Sequence, residues 1–195
     1  MASGKLYDRA AEDVSNIIAM EHVNITVPDQ AIATLFYVNG LGLTRDPYID
    51  FGSTNVWINA GNQQFHLPTK KPQVIRGHVG LVLPDLKALT KRLHSVEKSL
   101  IGTRFSFKIT KEFISITCPW GNKIKCYGSG QPFNMRLGIP YVEFMVPPGT
   151  ATGIARFYED LFSCRTTLTK TSCQIAIGSC LLYTSPSPRD ATLSR

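Results

Sequence analysis

Two segments of this chain repeat one pattern, HVNITVPD at 22–29 and HVGLVLPD at 78–85. Each segment begins with a histidine, continues as an apolar strand, and ends in Pro-Asp, which stops the strand and can cap a following helix. A third, weaker copy, YVEFMVPP, lies at 141–148. Repeats of this length indicate one supersecondary unit used several times. The chain is therefore predicted to fold as a series of similar modules.

The hydrophobic pattern after each histidine predicts the rest of the module. A helical apolar stripe comes first, and short strands separated by turn residues follow it. In module one the stripe is Ile32, Leu35 and Phe36, and strands are predicted at about 43–50, 54–60 and 62–68. In module two the stripe begins with Leu86, Leu89 and Leu93, and strands are predicted at about 103–110, 112–117 and 123–127. Each module is βαβββ, which makes the fold class α+β.

The third copy predicts a shorter module, with a helix at about 152–161 and a strand near 173–178. Residues 181–195 read LLYTSPSPRDATLSR, which shows no periodicity and resembles a translated cloning or adapter sequence. We therefore expect a truncated module without a fourth strand, followed by a non-native tail that packs little. The predicted organisation is a lead-in (1–18), paired modules (19–70 and 76–128), a linker (129–138), a partial third module (139–180) and the tail (181–195).

Charge and cysteine content limit the classes of partner and compartment. The net charge is +7, but no dense basic run alternates with aromatic residues, so nucleic acid is not an expected partner. No apolar run reaches the roughly 18 residues of a membrane span. The five cysteines form no C-x-x-C pair and are interpreted as reduced thiols. A cytoplasmic protein is expected, with a small-molecule ligand that can be anionic; association into a homodimer stays open.

Two further motifs resemble those of a known superfamily. FYVNGLGL at 36–43 is similar to FY-x-x-x-LGL, and CPWGNKIKCY at 118–127 is similar to DPDGNxIELY. Together with the doubled βαβββ module, they resemble the vicinal oxygen chelate superfamily. That superfamily includes glyoxalase I, extradiol ring-cleaving dioxygenases and the bleomycin- and fosfomycin-resistance proteins. The resemblance implies tandem modules that form a cup-shaped curved sheet with helices outside.

The resemblance also implies where metal ligands would lie, on the first and last strands of each module. Those places carry His22 and His66 in module one, and His78 and Lys125 in module two. Three imidazoles suit a divalent metal, here Zn, Ni or Fe, whereas an ammonium has no lone pair to donate. The predicted metal ligands are therefore His22, His66 and His78.

The remaining candidates line the same predicted cavity. Asn24, Trp57, Gln64 and Lys125 are the predicted substrate-binding residues, because strand alternation directs them toward the histidines. No catalytic residue is assigned, and Lys125 is a candidate by position alone. Glu143 is a further candidate because it shares a face with Tyr141, which takes the place of the first-strand histidine in module three.

Three functions follow from the resemblance. The first is a metal-dependent lyase or isomerase of the glyoxalase type acting on a small oxygen-rich substrate. The second is a metal-free binding protein of the resistance type, although bleomycin itself is cationic and suits a lysine-bearing cup poorly. The third is an extradiol dioxygenase, which the tyrosine at 141 disfavours.

Overall fold

The computed structural model describes residues 17–49, 52–130 and 132–187. Residues 1–16, most of the predicted lead-in, and 188–195, the end of the predicted tail, lie outside the described residues. Within the described part, no helix has both the length and the apolar character needed to cross a membrane.

Module one has the predicted order of strand, helix and three strands. Its elements are β1 (His22–Asn24), α1 (Gln30–Thr34), a π-helical turn (Leu35–Gly40), β2 (Thr44–Arg45), a 3-10 turn (Gly52–Thr54), β3 (Asn55–Ala60) and β4 (Gln63–Pro68). Asp29 caps α1 as predicted, since its Oδ1 accepts a hydrogen bond from the Ile32 amide at 3.0 Å.

Module two repeats this order with a longer helix. Its elements are β5 (Gly77–Leu83), α2 (Leu86–Val96), a 3-10 turn (Lys98–Leu100), β6 (Ser106–Ile109), β7 (Ile114–Thr117) and β8 (Lys123–Gly128). The Asp85 carboxylate accepts from the amides of Lys87 and Ala88, which confirms the predicted cap. Leu89 and Leu93 of the predicted apolar stripe are fully buried, and Leu86 is half-buried against the same core.

Module three has four strands rather than the two or three expected. Its elements are β9 (Tyr141–Val146), α3 (Ala151–Phe162), β10 (Thr166–Leu168), β11 (Cys173–Ile177) and β12 (Cys180–Pro186). β12 pairs in parallel with β9 and antiparallel with β11, so the expectation of a missing fourth strand and an unpacked segment after 181 was wrong. The interpretation of 181–195 as read-through sequence concerns its origin and stays a prediction.

The strands of the described residues form two sheets, and the pairing of modules differs from the prediction. Module one makes a four-stranded sheet in the order β1-β4-β3-β2. Modules two and three share an eight-stranded sheet, β10-β11-β12-β9-β5-β8-β7-β6, joined by antiparallel pairing of their first strands β5 and β9. The prediction that modules one and two surround one cavity was therefore wrong.

Burial explains why β5 rather than β1 lies at a module junction. All seven residues of β5 are buried, as expected for a strand that is central in its sheet and covered on both faces. β1 has three residues, ends in exposed Asn24, and is an edge strand of its sheet.

Modules one and two instead meet through their helices and a common core. The core cluster includes Phe36 and Tyr37 from the π-helical turn that follows α1, and Leu89 and Leu93 from α2. Asn122, in the predicted tight turn, is buried and holds the connection between the modules. Its side chain accepts from the Ile75 amide and donates to the Gln73 carbonyl, at 2.8 and 2.7 Å.

Candidate functional site

Three aromatic rings of module one form a cluster on the polar face of its sheet. Trp57 stacks on His66 with ring centroids 4.0 Å apart, and His22 lies edge-on to both, at 5.0 Å from Trp57 and 5.8 Å from His66. The strand register brings these rings together, because β4 lies between β1 and β3. Trp57 on β3 pairs with His66 on β4, and His22 on β1 pairs with Gln64 on β4. The predicted residues His22, Trp57, Gln64 and His66 therefore share one face, as does the exposed Asn24 opposite His66.

One ring nitrogen of each histidine in this module-one cluster already has a hydrogen-bonding partner. His22 Nδ1 lies 2.6 Å from a Glu21 oxygen, and His66 Nε2 lies 2.5 Å from Asn55 Oδ1. Burial, and then the nearby His22, lower the pKa of His66 below its usual value. The neutral imidazole that results is the form that can bind a metal.

His78 lies on the other sheet, in a hydrogen-bonded chain with two tyrosines. Its Nε2 is 2.9 Å from the Tyr141 hydroxyl, which is 3.0 Å from the Tyr127 hydroxyl. A carboxylate oxygen of Glu143 lies 3.5 Å from the same Nε2 atom. His78 and Tyr141 are buried, whereas Tyr127 and Glu143 are half-buried, so the hydrogen-bonded chain runs from the buried His78 toward solvent at Tyr127. We call the sheet face that carries these four residues the cup.

The cup is assembled by register across β8, β5 and β9. Gly80 pairs with Lys125 on β8, and His78 pairs with Glu143 on β9, so these residues share a face. A Cβ at position 80 would lie 2.3 Å from the Tyr141 ring, so only glycine leaves room for that ring on β5. The third tyrosine of this face, Tyr183, comes from β12 and packs edge-on against Tyr141.

Lys125 and two phenylalanines complete the cup. The Lys125 ammonium lies 5.2 Å from the centre of the Phe113 ring, within cation–π range. Phe113 contacts Tyr127 at 5.5 Å between ring centroids, and Phe133, from the linker after β8, contacts Tyr127 and Tyr141 at 5.0 and 5.5 Å. In the described part of the chain, no carboxylate lies within ion-pair distance of Lys125.

The electrostatics of the cup keep its hydrogen-bonded chain neutral near pH 7. Burial lowers the pKa of His78; Glu143 opposes this shift, and the ammonium groups of Lys125 and Lys123 add to it. Burial raises the pKa of Tyr127, and it raises the pKa of Tyr141 well above the usual value. The neutral His78 imidazole, between a phenol and a carboxylate, can accept or donate a proton. The hydrogen-bonded chain is therefore suited to general acid–base chemistry.

The three predicted metal ligands do not form one site. His22 and His66 belong to the four-stranded sheet and His78 to the eight-stranded sheet, where its ring nitrogen is bonded to Tyr141. Among residues 17–49, 52–130 and 132–187, no three His, Cys, Asp or Glu side chains are placed to share a metal ion. The three-histidine site was therefore wrong, because the pairing of modules on which it depended does not occur.

The chemistry of the cup donors does not fit a metal either. The ligand places implied by the family resemblance carry His78, Lys125 and Tyr141 in this cup. A protonated lysine has no lone pair and repels a cation, and burial keeps the Tyr141 phenol protonated. In module one, by contrast, His22 and His66 are suitable donors for two ligand positions.

Sequence reasoning missed the aromatic character of the cup. Lys125 was assigned to substrate binding, and it does face the cup, but Phe113, Tyr127 and Phe133 were not singled out. The alternation of KIKCY at 123–127 places Tyr127 on the same face as Lys125, so this signal was present. Phe133 carried no signal, because a linker has no periodicity from which its direction could be predicted.

Comparison with solved structures identifies the architecture. Glyoxalase I from Zea mays matches with a TM-score of 0.60 at 15% sequence identity, over 85% of this chain and 66% of that one. A proposed dioxygenase from Bacillus subtilis matches with a TM-score of 0.57 at 12% identity, over 89% of this chain and 65% of that one. This is the vicinal oxygen chelate fold.

The likeness extends to the fold and no further. No sequence family model and no curated protein matches the chain. The chain spans about two thirds of the length of the two vicinal oxygen chelate structures named above, 65% and 66%. At 12% and 15% identity, reaction and ligand must be argued from the residues of this chain.

Proposed function

We propose that this protein binds a small oxygen-rich molecule in the cup of modules two and three, without a metal ion as the anchor. The observation that carries the proposal is the hydrogen-bonded chain of His78, Tyr141 and Tyr127 beside the Lys125 ammonium. These side chains offer donors, acceptors and one positive charge at the face of the sheet. In the family that the sequence resembles, metal ligands are expected at these positions or next to them.

The same chain of groups supports lyase or isomerase chemistry in the cup. His78 is neutral near pH 7 because burial lowers its pKa, and it lies within hydrogen-bond distance of a phenol. It could take a proton from a carbon next to a carbonyl group, while the Lys125 charge stabilises the oxyanion that forms. Catalysis is the second part of this proposal, and binding is the first.

A metal-dependent, glyoxalase-type activity is the second candidate, and it would use module one. His22 and His66 lie on one sheet face with ring centroids 5.8 Å apart, and burial favours the neutral form of His66. A divalent metal held there would supply Lewis acidity toward vicinal oxygens of a substrate. The extradiol dioxygenase alternative has less support, because Tyr141 replaces the histidine expected on the first strand of module three.

A cytoplasmic location is part of the proposal. All five cysteines, Cys118, Cys126, Cys164, Cys173 and Cys180, are buried free thiols, which suits a reducing compartment.

Ligand-observed NMR on metal-stripped protein tests the first candidate. Catechol, hydroxyacetone and glycolate serve as oxygen-rich probes after dialysis against a chelator. We expect at least one probe to bind, and Tyr141→Phe to weaken its binding by about 1 kcal/mol or more, because a hydrogen bond to ligand or His78 is lost. Tyr48→Phe is the matched control, since Tyr48 is 93% exposed and distant in sequence from the cup.

The dependence of probe binding on added metal separates the two candidates. If probe binding requires Zn²⁺ or Ni²⁺ and is lost in His22→Ala and His66→Ala but kept in Tyr141→Phe, the module-one candidate replaces the cup. If binding survives the chelator and depends on Tyr141, the cup proposal stands.

A further inference from the structure

The cup carries a positive charge that the described residues do not neutralise. Lys125 is half-buried, and no carboxylate in the described ranges lies within ion-pair distance of its ammonium. Its charge reaches the floor of the cup, since it contributes to the lowered pKa of His78. A charge held in a partly desolvated site favours an anionic ligand more than the same charge at an open surface.

The walls of the cup are aromatic. Phe113, Tyr127 and Phe133 form a continuous set of ring contacts with centroid distances of 5.0 to 5.5 Å, and the Lys125 ammonium lies over the first of them. Half-buried rings of this kind offer apolar area and edge or face contacts to another planar ring. A ligand that reaches Lys125 therefore passes along aromatic surface.

One carboxylate limits the charge of the ligand. Glu143 lies 3.5 Å from His78 Nε2 on the side of the cup formed by β9, whereas Lys125 is on β8. Lys123, exposed on the same face of β8, also acts on His78, so the positive charge of the cup is concentrated on its β8 side. A second negative charge on the ligand that pointed toward β9 would approach Glu143 and be repelled.

From these three features we infer that the cup selects a planar aromatic monoanion, with the anionic group on Lys125 and the ring against Phe113 and Tyr127. This inference rests on the proposed function, since it names the ligand class of the same cup. The ammonium would take over the role of positive anchor in a cup whose donors do not suit a metal. Tyr127, at the solvent end of the hydrogen-bonded chain, is placed to donate to the anionic group.

The test compares benzoate with its neutral isostere benzamide by titration calorimetry on metal-stripped protein. We expect benzoate to bind at least about tenfold more tightly than benzamide, because only benzoate brings a negative charge to the Lys125 ammonium, and charge-assisted hydrogen bonds are stronger than neutral ones. Acetate, which lacks the ring, and phthalate, which adds a second charge, should each bind more weakly than benzoate. Lys125→Met should remove the preference for benzoate, and Lys125→Arg should retain it.

Lys91→Met is the matched control, because Lys91 is exposed on α2 and its removal should leave benzoate binding unchanged. Circular dichroism melting of each variant establishes that it is folded. Equal binding of benzoate and benzamide, or a benzoate affinity unaffected by Lys125→Met, would overturn the inference while leaving the cup a neutral-ligand site. If the metal-stripped wild-type protein bound neither benzoate nor any of catechol, hydroxyacetone and glycolate, the proposed function itself would be overturned.

Discussion

At the scale of single residues, the size of one side chain decides what the cup contains. Gly80 lies beneath the Tyr141 ring, and a methyl group there would approach the ring to 2.3 Å. Because the ring occupies this space, its hydroxyl reaches both His78 and Tyr127. A small residue on β5 and a large one on β9 thus create the hydrogen-bonded chain together.

The buried His78 should make stability depend on pH. Its folded-state pKa is lowered, first by burial, so the unfolded chain binds the proton more readily than the folded one. Stability is therefore complete above the unfolded value of about 6.5 and falls as the pH decreases below it. We expect the thermal midpoint to fall between pH 7 and pH 5.5, and to fall less in His78→Gln.

His94→Gln is the control for this measurement. His94 is exposed near the end of α2, where it lies beside Glu97 and packs edge-on against the Phe107 ring. Its removal should leave the slope of the thermal midpoint against pH unchanged. The same slope in wild type and His78→Gln would contradict a lowered pKa at His78. His66, whose pKa is also lowered, should account for part of the slope that remains in His78→Gln.

At the scale of secondary-structure elements, β12 shows how a strand can form where local pattern indicates none. Residues 181–186 include a proline and lack alternation, but they pair with β9 on one side and β11 on the other. Thr184 is buried in this strand, and its hydroxyl accepts from the Cys173 amide at 3.0 Å. Pairing on both sides compensates for weak local propensity.

Deleting residues 181–195 should therefore destabilise module three. The deletion removes the partner of both β9 and β11, which leaves backbone groups unpaired within the eight-stranded sheet. We expect a lower thermal midpoint and faster proteolysis between residues 141 and 180. Deletion of 188–195 alone keeps all of β12 and should have a much smaller effect. Equal midpoints for the full chain and the longer deletion would support the expectation that the tail packs little.

At the scale of the whole molecule, Gln63 joins module one to the start of module three. It is buried, its side-chain oxygen accepts from the Ile139 amide at 2.6 Å, and its Nε2 donates to the carbonyls of Ile139 and Met20. Nearby, a Cβ at Gly61 would lie 2.3 Å from the Leu137 carbonyl oxygen. The four-stranded sheet is therefore held close against the linker that leads into β9.

Gln63→Leu should weaken this junction. It leaves the buried amide and carbonyl of Ile139 without their side-chain partner, which costs roughly 1–3 kcal/mol per unsatisfied group. Urea unfolding should show the corresponding loss of unfolding free energy. Gln64→Leu is the matched control, since the Gln64 side chain points to the opposite, half-exposed face and its amide group donates to the side chains of Asp46 and Asn59. A smaller loss for Gln63→Leu than for Gln64→Leu would contradict this role.

The sequence alone was sufficient to predict the modules and most of their elements. The strands after each histidine, the helix caps at Asp29 and Asp85, and the apolar stripe of α2 all depend on residues within a few positions of one another. Such features follow from strand alternation, helical spacing and local hydrogen bonding, which are readable without the rest of the chain. Trp57, Gln64, His22 and His66 could be placed on one face for the same reason.

The tertiary structure decided which modules share a sheet, and with that the candidate site. The copies of the repeat are similar enough that local pattern does not distinguish β1 from β9 as the partner of β5. The choice depends on burial of β5 on both faces, on the packing of the module-one helix against α2, and on the close fit of Tyr141 over Gly80. These contacts join residues far apart in the chain, so His78 lies beside Tyr141 and Glu143 rather than beside His22 and His66.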